Sequence, residues 1–247
     1  MASHWNYEDN GPCGPCHWPG DIHGKSQSPI DIDLAQLTKA CCKEEFVFKN
    51  YDVSIEGQFL NNGHSVQFIQ KGEEDVPTIS GGKLDQEYRF IQYHYHWAQH
   101  DHQGSEHTLN TLHFPIELHL VHQGITDPSK LAVVGVFFKV GEKGEALFSE
   151  EEALPFIVEC DSKVPAAPQR LVDKLPKNLG SFIRYAGSLT TPPCSEIVTW
   201  TVITTPITIS RAQLEAFRKI KDCEHKVLEK NFRPCQALNN RKVYFVS

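Results

Sequence analysis

Gln92-Tyr93-His94-Tyr95-His96-Trp97 and, further along, Glu117-Leu118-His119-Leu120-Val121 decide how this chain is read. The first segment alternates aromatic and polar residues with a period of two, the mark of a strand whose two faces are used differently. Gln92, His94 and His96 fall on one face, and Tyr93, Tyr95 and Trp97 on the other. In the second segment Glu117, His119 and Val121 point one way, and Leu118 and Leu120 the other. Residues two apart on a strand lie roughly 6.6 Å apart. Two imidazoles so spaced can meet one ion at Zn–N distances of ~2.0–2.1 Å. A third from a neighbouring strand completes a three-histidine site with one position open, the pattern of catalytic rather than structural zinc. Spacing alone leaves a second reading open, in which His94, His96 and His119 are ordinary hydrogen-bonded sheet histidines.

Outward from this stretch, the residue pattern predicts further strands over residues 46–51, 53–59, 65–70, 88–97, 115–122, 131–140, 181–185 and 196–204. Residues 131–140 are apolar almost throughout, as in a strand buried on both faces. Asn61-Asn62-Gly63, Gly81-Gly82 and Gly124 punctuate the series. Residues 34–40 read as a short helix. A second starts at Ser149-Glu150-Glu151-Glu152 and is cut short by Pro155. Ser210 caps the clearest one, over 211–220, with Leu214, Phe217 and Ile220 as its apolar stripe. Residues 1–30 form an irregular arm that packs through Trp5, Tyr7 and Trp18, and the tail from Asn231 is irregular too. The expected architecture is a single domain over 1–247, mainly β (α+β), with a large twisted, mostly antiparallel central sheet and a few short peripheral helices.

Hydrophobic residues make up 40% of the 247 and charged residues 22%, and the net charge is −7. Without a Lys/Arg-rich run, that balance argues against nucleic acid or an anionic membrane as partner. The first residues lack the basic-then-apolar order of a signal peptide. The longest apolar run, 131–138, is too short to cross a bilayer, and the last residues carry no anchor tail. An intracellular, cytoplasmic protein is expected. Eight cysteines, at 13, 16, 41, 42, 160, 194, 223 and 235, are even in number. That parity signals a disulfide framework in short secreted chains, so mostly reduced thiols are expected here.

Other histidines compete poorly with the chosen three. His100 and His102 sit in a polar loop with nothing to fix them, and His122 has the wrong strand parity to join His119. His113 has the right parity but lies roughly 20 Å away along an extended strand.

The wider chain resembles an α-class carbonic anhydrase of the animal cytosolic type. The resemblance runs through His4-Trp5-Asn6-Tyr7, Asn10-Gly11-Pro12, Gln27-Ser28-Pro29-Ile30-Asp31, Asn61-Asn62-Gly63-His64 and the 92–97 segment. It continues through Gly104-Ser105-Glu106-His107, the residues 117–122, Leu131-Ala132-Val133, Ser188-Leu189-Thr190-Thr191-Pro192-Pro193 and Asn231-Phe232-Arg233-Pro234. It implies one Zn2+ per chain on His94, His96 and His119, and reversible hydration of CO2 to bicarbonate and a proton by zinc-hydroxide attack. Gln92, Glu117 and the backbone carbonyl of Asn231 would orient the ligands. Thr190, paired with Glu106, would aim the nucleophile, and the Thr190 N–H with the Thr191 hydroxyl would hold substrate or an anion. Val121, Val133, Leu189, Val198 and Trp200 would form the apolar CO2 wall, although most could equally be ordinary core. His64 would shuttle the proton outward, with Tyr7, Asn62 and Gln67 lining the water path. Sulfonamide-type and anion inhibitors and a monomeric state are implied as well.

Cys13-Gly14-Pro15-Cys16 matches the thioredoxin-type redox motif but sits in a Pro/Gly arm without the strand–helix setting that activates such a thiol. A zinc knuckle from Cys13, Cys16, Cys41 and Cys42 has poor spacing. A silent binding module is disfavoured because every residue of the implied machinery is present. Secreted relatives bridge a cysteine ahead of the Gln-Ser-Pro motif to one after Thr-Thr-Pro-Pro. Here Ile22 and His23 stand where the first would lie, which favours a free Cys194 and leaves pairing with Cys13 or Cys16 as the alternative. Ala98 replaces the glycine usual after His-x-His-Trp.

Overall fold

The computed structural model describes residues 5–40, 45–72, 75–142 and 144–247. In chain order its strands are β1 (Asp31–Ile32), β2 (Thr38–Ala40), β3 (Phe46–Lys49), β4 (Ile55–Asn61), β5 (Val66–Gln70), β6 (Thr78–Gly81) and β7 (Tyr88–Trp97). They continue with β8 (Thr108–Leu109), β9 (Ile116–Gly124), β10 (Leu131–Val140), β11 (Lys163–Gln169), β12 (Phe182–Gly187), β13 (Val198–Ile209) and β14 (Tyr244–Val246). Among the described residues, 12 of these strands join in one sheet in the order β11-β4-β5-β7-β9-β10-β13-β12-β14-β2, with β3 and β6 branching from β7. Most pairings are antiparallel; β10–β13 and β14–β2 are parallel. β1 and β8 form a separate parallel pair.

The sheet is central because its middle strands β9 and β10 are buried on both faces along nearly their whole length. One face packs Phe59, Phe68, Tyr93, Tyr95, Trp97, Leu118, Leu120, Val134 and Phe138 against Leu214 and Phe217. Each such side chain contributes about 1.5–3 kcal/mol of hydrophobic stabilisation. Glu150 gathers polar groups on this face: the Tyr93 and Tyr95 hydroxyls donate to its Oε1 at 2.7 and 2.6 Å, and Lys174 Nζ donates to both of its oxygens. The opposite face carries a second apolar cluster with Val121, Val133, Phe137, Tyr185, Val198 and Trp200.

A bulge in β7 reconciles two patterns. Phe90 opposes His122, but Gln92 opposes Val121, so the register shifts between them. Phe90 therefore shares the first core with Tyr93 and Tyr95 despite its different parity, as an extra residue on one strand permits.

The short helices are α1 (Phe148–Ala153), which passes into a 3-10 turn at Leu154–Phe156, and α2 (Arg211–Phe217). Ser210 accepts the Gln213 N–H and donates its own N–H to Gln213 Oε1, a reciprocal cap that contributes about 1 kcal/mol. α2 stops short of residue 220, though Ile220 remains fully buried.

Two expectations are corrected, and a third, mostly reduced thiols, holds for four of the six described cysteines. Residues 34–40 hold no helix: Asp33 Oδ1 accepts the Ala35 N–H to form a turn, and 38–40 pair with β14. Long-range pairing has overridden local propensity. The tail is not wholly irregular, since β14 lies between β12 and β2. Finally, Cys160 and Cys223 form a disulfide, with Cα atoms 4.9 Å apart across a sequence separation of 63. Cys13, Cys16, Cys194 and Cys235 are free thiols. Cys41 and Cys42, and with them the four-cysteine set, lie outside the described residues, as does His4. No helix among the described residues is long and apolar enough to cross a membrane.

Candidate active site

Antiparallel pairing of β7 with β9 puts His94 opposite His119, and His96 follows two residues along the same face. Each imidazole has one nitrogen committed. His94 Nδ1–H donates to Gln92 Oε1 at 2.9 Å, and His96 Nδ1–H to the Asn231 carbonyl at 2.7 Å. His119 Nε2–H donates to Glu117 Oε1 at 2.8 Å. These bonds fix the tautomers, leaving a lone pair on Nε2 of His94 and His96 and on Nδ1 of His119. One ring nitrogen from each lies within 4.8 Å of the other two. His96 Nε2 is buried without any hydrogen-bond partner. A buried lone pair left so is costly, and a divalent cation would satisfy it.

Electrostatics agree with that use. Burial, helped by His119, pushes His94 down to about 3. Burial likewise holds His96 well below its ordinary value and lowers His119. All three are therefore neutral ligands at pH 7, as metal binding requires. Burial pushes Glu117 upward, but His107 and His119 outweigh it and keep the carboxyl ionised well below the usual range. Gly135 lies opposite His119 on β10, and a Cβ there would come within 2.9 Å of Glu117 Oε1.

The carboxylate serves a second histidine. His107 Nδ1 lies 2.7 Å from Glu117 Oε1, and its backbone N–H donates to Oε2 at 2.8 Å. His107 Nε2 in turn meets the Tyr185 hydroxyl at 2.6 Å, and that hydroxyl bonds Ser28. His107, Glu117 and His119 also fall within metal-ligand distance of one another. Their facing atoms are consumed in mutual hydrogen bonds, so this trio is a support and not a rival site.

Glu106 is fully buried, 3.5 Å from His96 Nδ1 through Oε1, which accepts the Arg233 N–H at 2.7 Å. Burial raises its pKa well above the ordinary value, and the Arg233 N–H and the Thr190 hydroxyl oppose that rise. Glu106 Oε2 itself has no partner within hydrogen-bond distance. Thr190 is buried too, in a loop closed by Leu189 N–H to Ser195 O and Cys194 N–H to Thr191 O.

The apolar residues cluster beside the histidines. Val133 stands between Val121 on β9 and Trp200 on β13, and Val198 is two residues before Trp200. Leu189 packs against the same cluster. The Trp200 ring lies 4.8 Å from that of His119, and its Nε1–H donates to Ser188 O.

On the other side a polar track leaves His94. Gln67 opposes His94 in the β5–β7 ladder, and Asn62 Nδ2 reaches Gln67 Oε1 at 3.5 Å. His64 follows, half-buried, with its N–H on Asn62 Oδ1 and its ring stacked on Trp5 at 3.7 Å between centroids. Tyr7 meets His64 edge-on at 6.4 Å. A cavity of about 530 Å³ borders Trp5, Tyr7, Gly63 and His64.

His107, Tyr185, Arg233 and the Asn231 side chain carry roles that the sequence pattern does not announce. Asn231 accepts the Trp97 N–H and donates to the His64 and Tyr95 carbonyls, tying β7 to the His64 turn. No local pattern announces such long-range bonds. Of the rival histidines, His100 and His102 stack on each other in their loop and His113 bonds Ser105 O.

Comparison with known proteins gives a consistent picture. The model of the eukaryotic-type carbonic anhydrase family matches residues 13–247. "Putative carbonic anhydrase 3" of Caenorhabditis elegans is 50% identical over 246 residues, covering 100% of this chain and 99% of the relative. "Carbonic anhydrase 4" of Rattus norvegicus is 36% identical, covering 98% of this chain and 84% of the relative. "Carbonic anhydrase 7" of Mus musculus is also 36% identical, with 98% of each covered.

Proposed function

This chain belongs to the eukaryotic-type carbonic anhydrases, enzymes that hydrate CO2 reversibly, and from that premise we propose that one zinc ion on His94, His96 and His119 forms its active centre, with His64 carrying the released proton outward. The observation that carries this reading is the set of three lone pairs that Gln92, Glu117 and the Asn231 carbonyl leave facing one another. Zinc so held supplies Lewis acidity that brings the pKa of water to about 7 from about 15.7, a magnitude that belongs to carbonic anhydrases as a class.

The protein's own residues do the rest. Gln92, Glu117 and Asn231 hold each imidazole in one tautomer and one orientation, which raises ligand precision. Thr190 and Glu106 form the polar side of the pocket and orient the attacking oxygen, an effect of geometry more than of charge. Val121, Val133, Leu189, Val198 and Trp200 offer CO2, which is apolar, a dry wall beside the ligands. The Thr190 N–H and the Thr191 hydroxyl hold the anionic product. The proton leaves along Asn62, Gln67 and Tyr7 toward His64, because imidazole is the side-chain type that can both take and release a proton at physiological pH.

A cytoplasmic, monomeric enzyme open to sulfonamide-type and anion inhibitors belongs to the same proposal, checked by fractionation, sedimentation and inhibitor titration. The central test pairs metal analysis with stopped-flow CO2 hydration. We expect one zinc per chain and rapid hydration, and loss of both in His94→Ala. Stoichiometric zinc without hydration would overturn the reading.

A further inference from the structure

Cys160 and Cys223 meet under the turn that carries His64. Gly63 has a φ of +81°, and a Cβ built on it would lie 2.4 Å from Cys223 Sγ and 3.0 Å from Cys160 Sγ. The two sulfurs therefore press on bare backbone, immediately before His64, where only glycine fits in both conformation and space. The same two segments are tied a second time without covalent chemistry. Asn61 Nδ2 donates to the carbonyls of Val158 at 3.0 Å and Lys221 at 2.8 Å, each two residues before one of the cysteines. Asn61 Oδ1 accepts the Gly63 N–H at 2.9 Å, and Lys221 N–H reaches Val158 O. Cys223, Gly63, His64 and Trp5 all border the cavity of about 530 Å³. The proposed reaction makes no other use of these cysteines.

We infer that the Cys160–Cys223 disulfide is a positioning element for proton transfer: it holds Gly63, and through it His64, at the cavity wall, and its reduction slows proton export. This rests on the reading of His64 as the shuttle. When the bond is cut, two sulfurs joined covalently become two thiols at van der Waals separation. They then need more room against Gly63, which has none to give on that side. Asn61 keeps the segments together, so the turn shifts and does not unfold. Cys223 is exposed, which lets a small dithiol reach the bond. The dithiol delivers two electrons and two protons; the S–S bond breaks, two cysteine S–H groups form, and the reductant closes to its own disulfide.

Proton export follows the carbon chemistry, so its geometry enters kcat and leaves kcat/KM for CO2 alone. That split separates positioning from general weakening. The test compares wild type, Cys160→Ser/Cys223→Ser, His64→Ala and the triple variant in weak buffer. Wild type is also measured after dithiothreitol and again after reoxidation, with zinc content determined each time. The double serine variant and the reduced wild type should lose kcat several-fold, with kcat/KM and zinc unchanged. Small imidazole buffers should restore the rate, and reoxidation should restore the wild type. The His64 ring resonances should move on reduction. In the His64→Ala background the serine changes should cost nothing further.

Unchanged kcat on losing the disulfide, beside a lowered kcat in His64→Ala, would overturn the positioning role alone. Unchanged kcat in His64→Ala would overturn the shuttle reading and this inference with it. An added loss in the triple variant would show general weakening and overturn the inference. Should the serine variant fail to fold, reduced wild type supplies the same comparison.

Discussion

The histidines proposed to bind metal and the one proposed to move the proton live in opposite surroundings. His96 and His119 are almost wholly inaccessible, and all three ligand candidates project from β7 and β9 with one nitrogen bonded to a fixed acceptor. Behind them the strand is clamped by Tyr93 and Tyr95 on Glu150. His64 instead follows a glycine turn, is half-buried, and stacks face to face on Trp5 from the irregular arm. The contrast shows where rigidity is worth its entropy. Three lone pairs must coincide on one ion, so they are placed where the sheet cannot move. A group that takes a proton inside and releases it outside needs a held backbone and an imidazole that borders the cavity, as His64 does.

Three substitutions put this contrast at risk. Glu117→Gln has the largest expected effect, because it removes the charge that both His107 and His119 lean on. Zinc affinity should weaken about 10–100-fold, the usual cost of losing such a support, as read by competition with a chromogenic chelator. An unchanged affinity would mean that His119 is oriented by packing alone. His64→Ala should lower kcat in weak buffer by about tenfold, below the ~100-fold or more of a fully positioned acid–base group, because buffer and water still compete. Zinc affinity should not change. If it did, the two regions would not be separable.

The smallest effect concerns His122, on the same strand as His119 but facing the other core. Its Nδ1–H donates to Ala132 O, and its Nε2 accepts from the Tyr51 hydroxyl at 2.6 Å. Burial pushes its pKa down to about 3 from 6.5. Between those values the unfolded chain binds a proton that the folded one refuses. Stability from the neutral ring is therefore complete above pH 6.5 and falls as pH drops toward 3. His122→Phe should flatten that acid slope in urea midpoints measured at about pH 4 and about pH 7, either side of the ordinary histidine pKa. An identical slope would locate the acid sensitivity elsewhere.

How much of this was legible in the sequence follows from distance along the chain. Period-two alternation over 92–97 and an apolar run over 131–140 marked two strands, and β7 and β10 have the expected bounds 88–97 and 131–140. The same alternation placed Gln92 beside His94 and Glu117 beside His119, partners only two residues apart. The bulge in β7 was hidden, since Phe90 and Tyr93 look out of phase until one extra residue is allowed. The Cys160–Cys223 bond, β14 and the Arg233 N–H on Glu106 were also hidden, because each joins segments that no local period relates. The pairing of Glu106 with Thr190 is implied only by likeness to a family. No spacing rule connects a loop before β8 with one after β12.

Beside Glu117, β10 carries a glycine. A methyl group at Gly135 would lie 2.9 Å from Glu117 Oε1, so this bare position is clearance for a carboxylate already bonded to His107 and His119. Alanine at 135 would push that oxygen off its two partners or displace the strand. The weakest link of a buried strand is thus a machined tolerance, kept open for the group that stands in front of it.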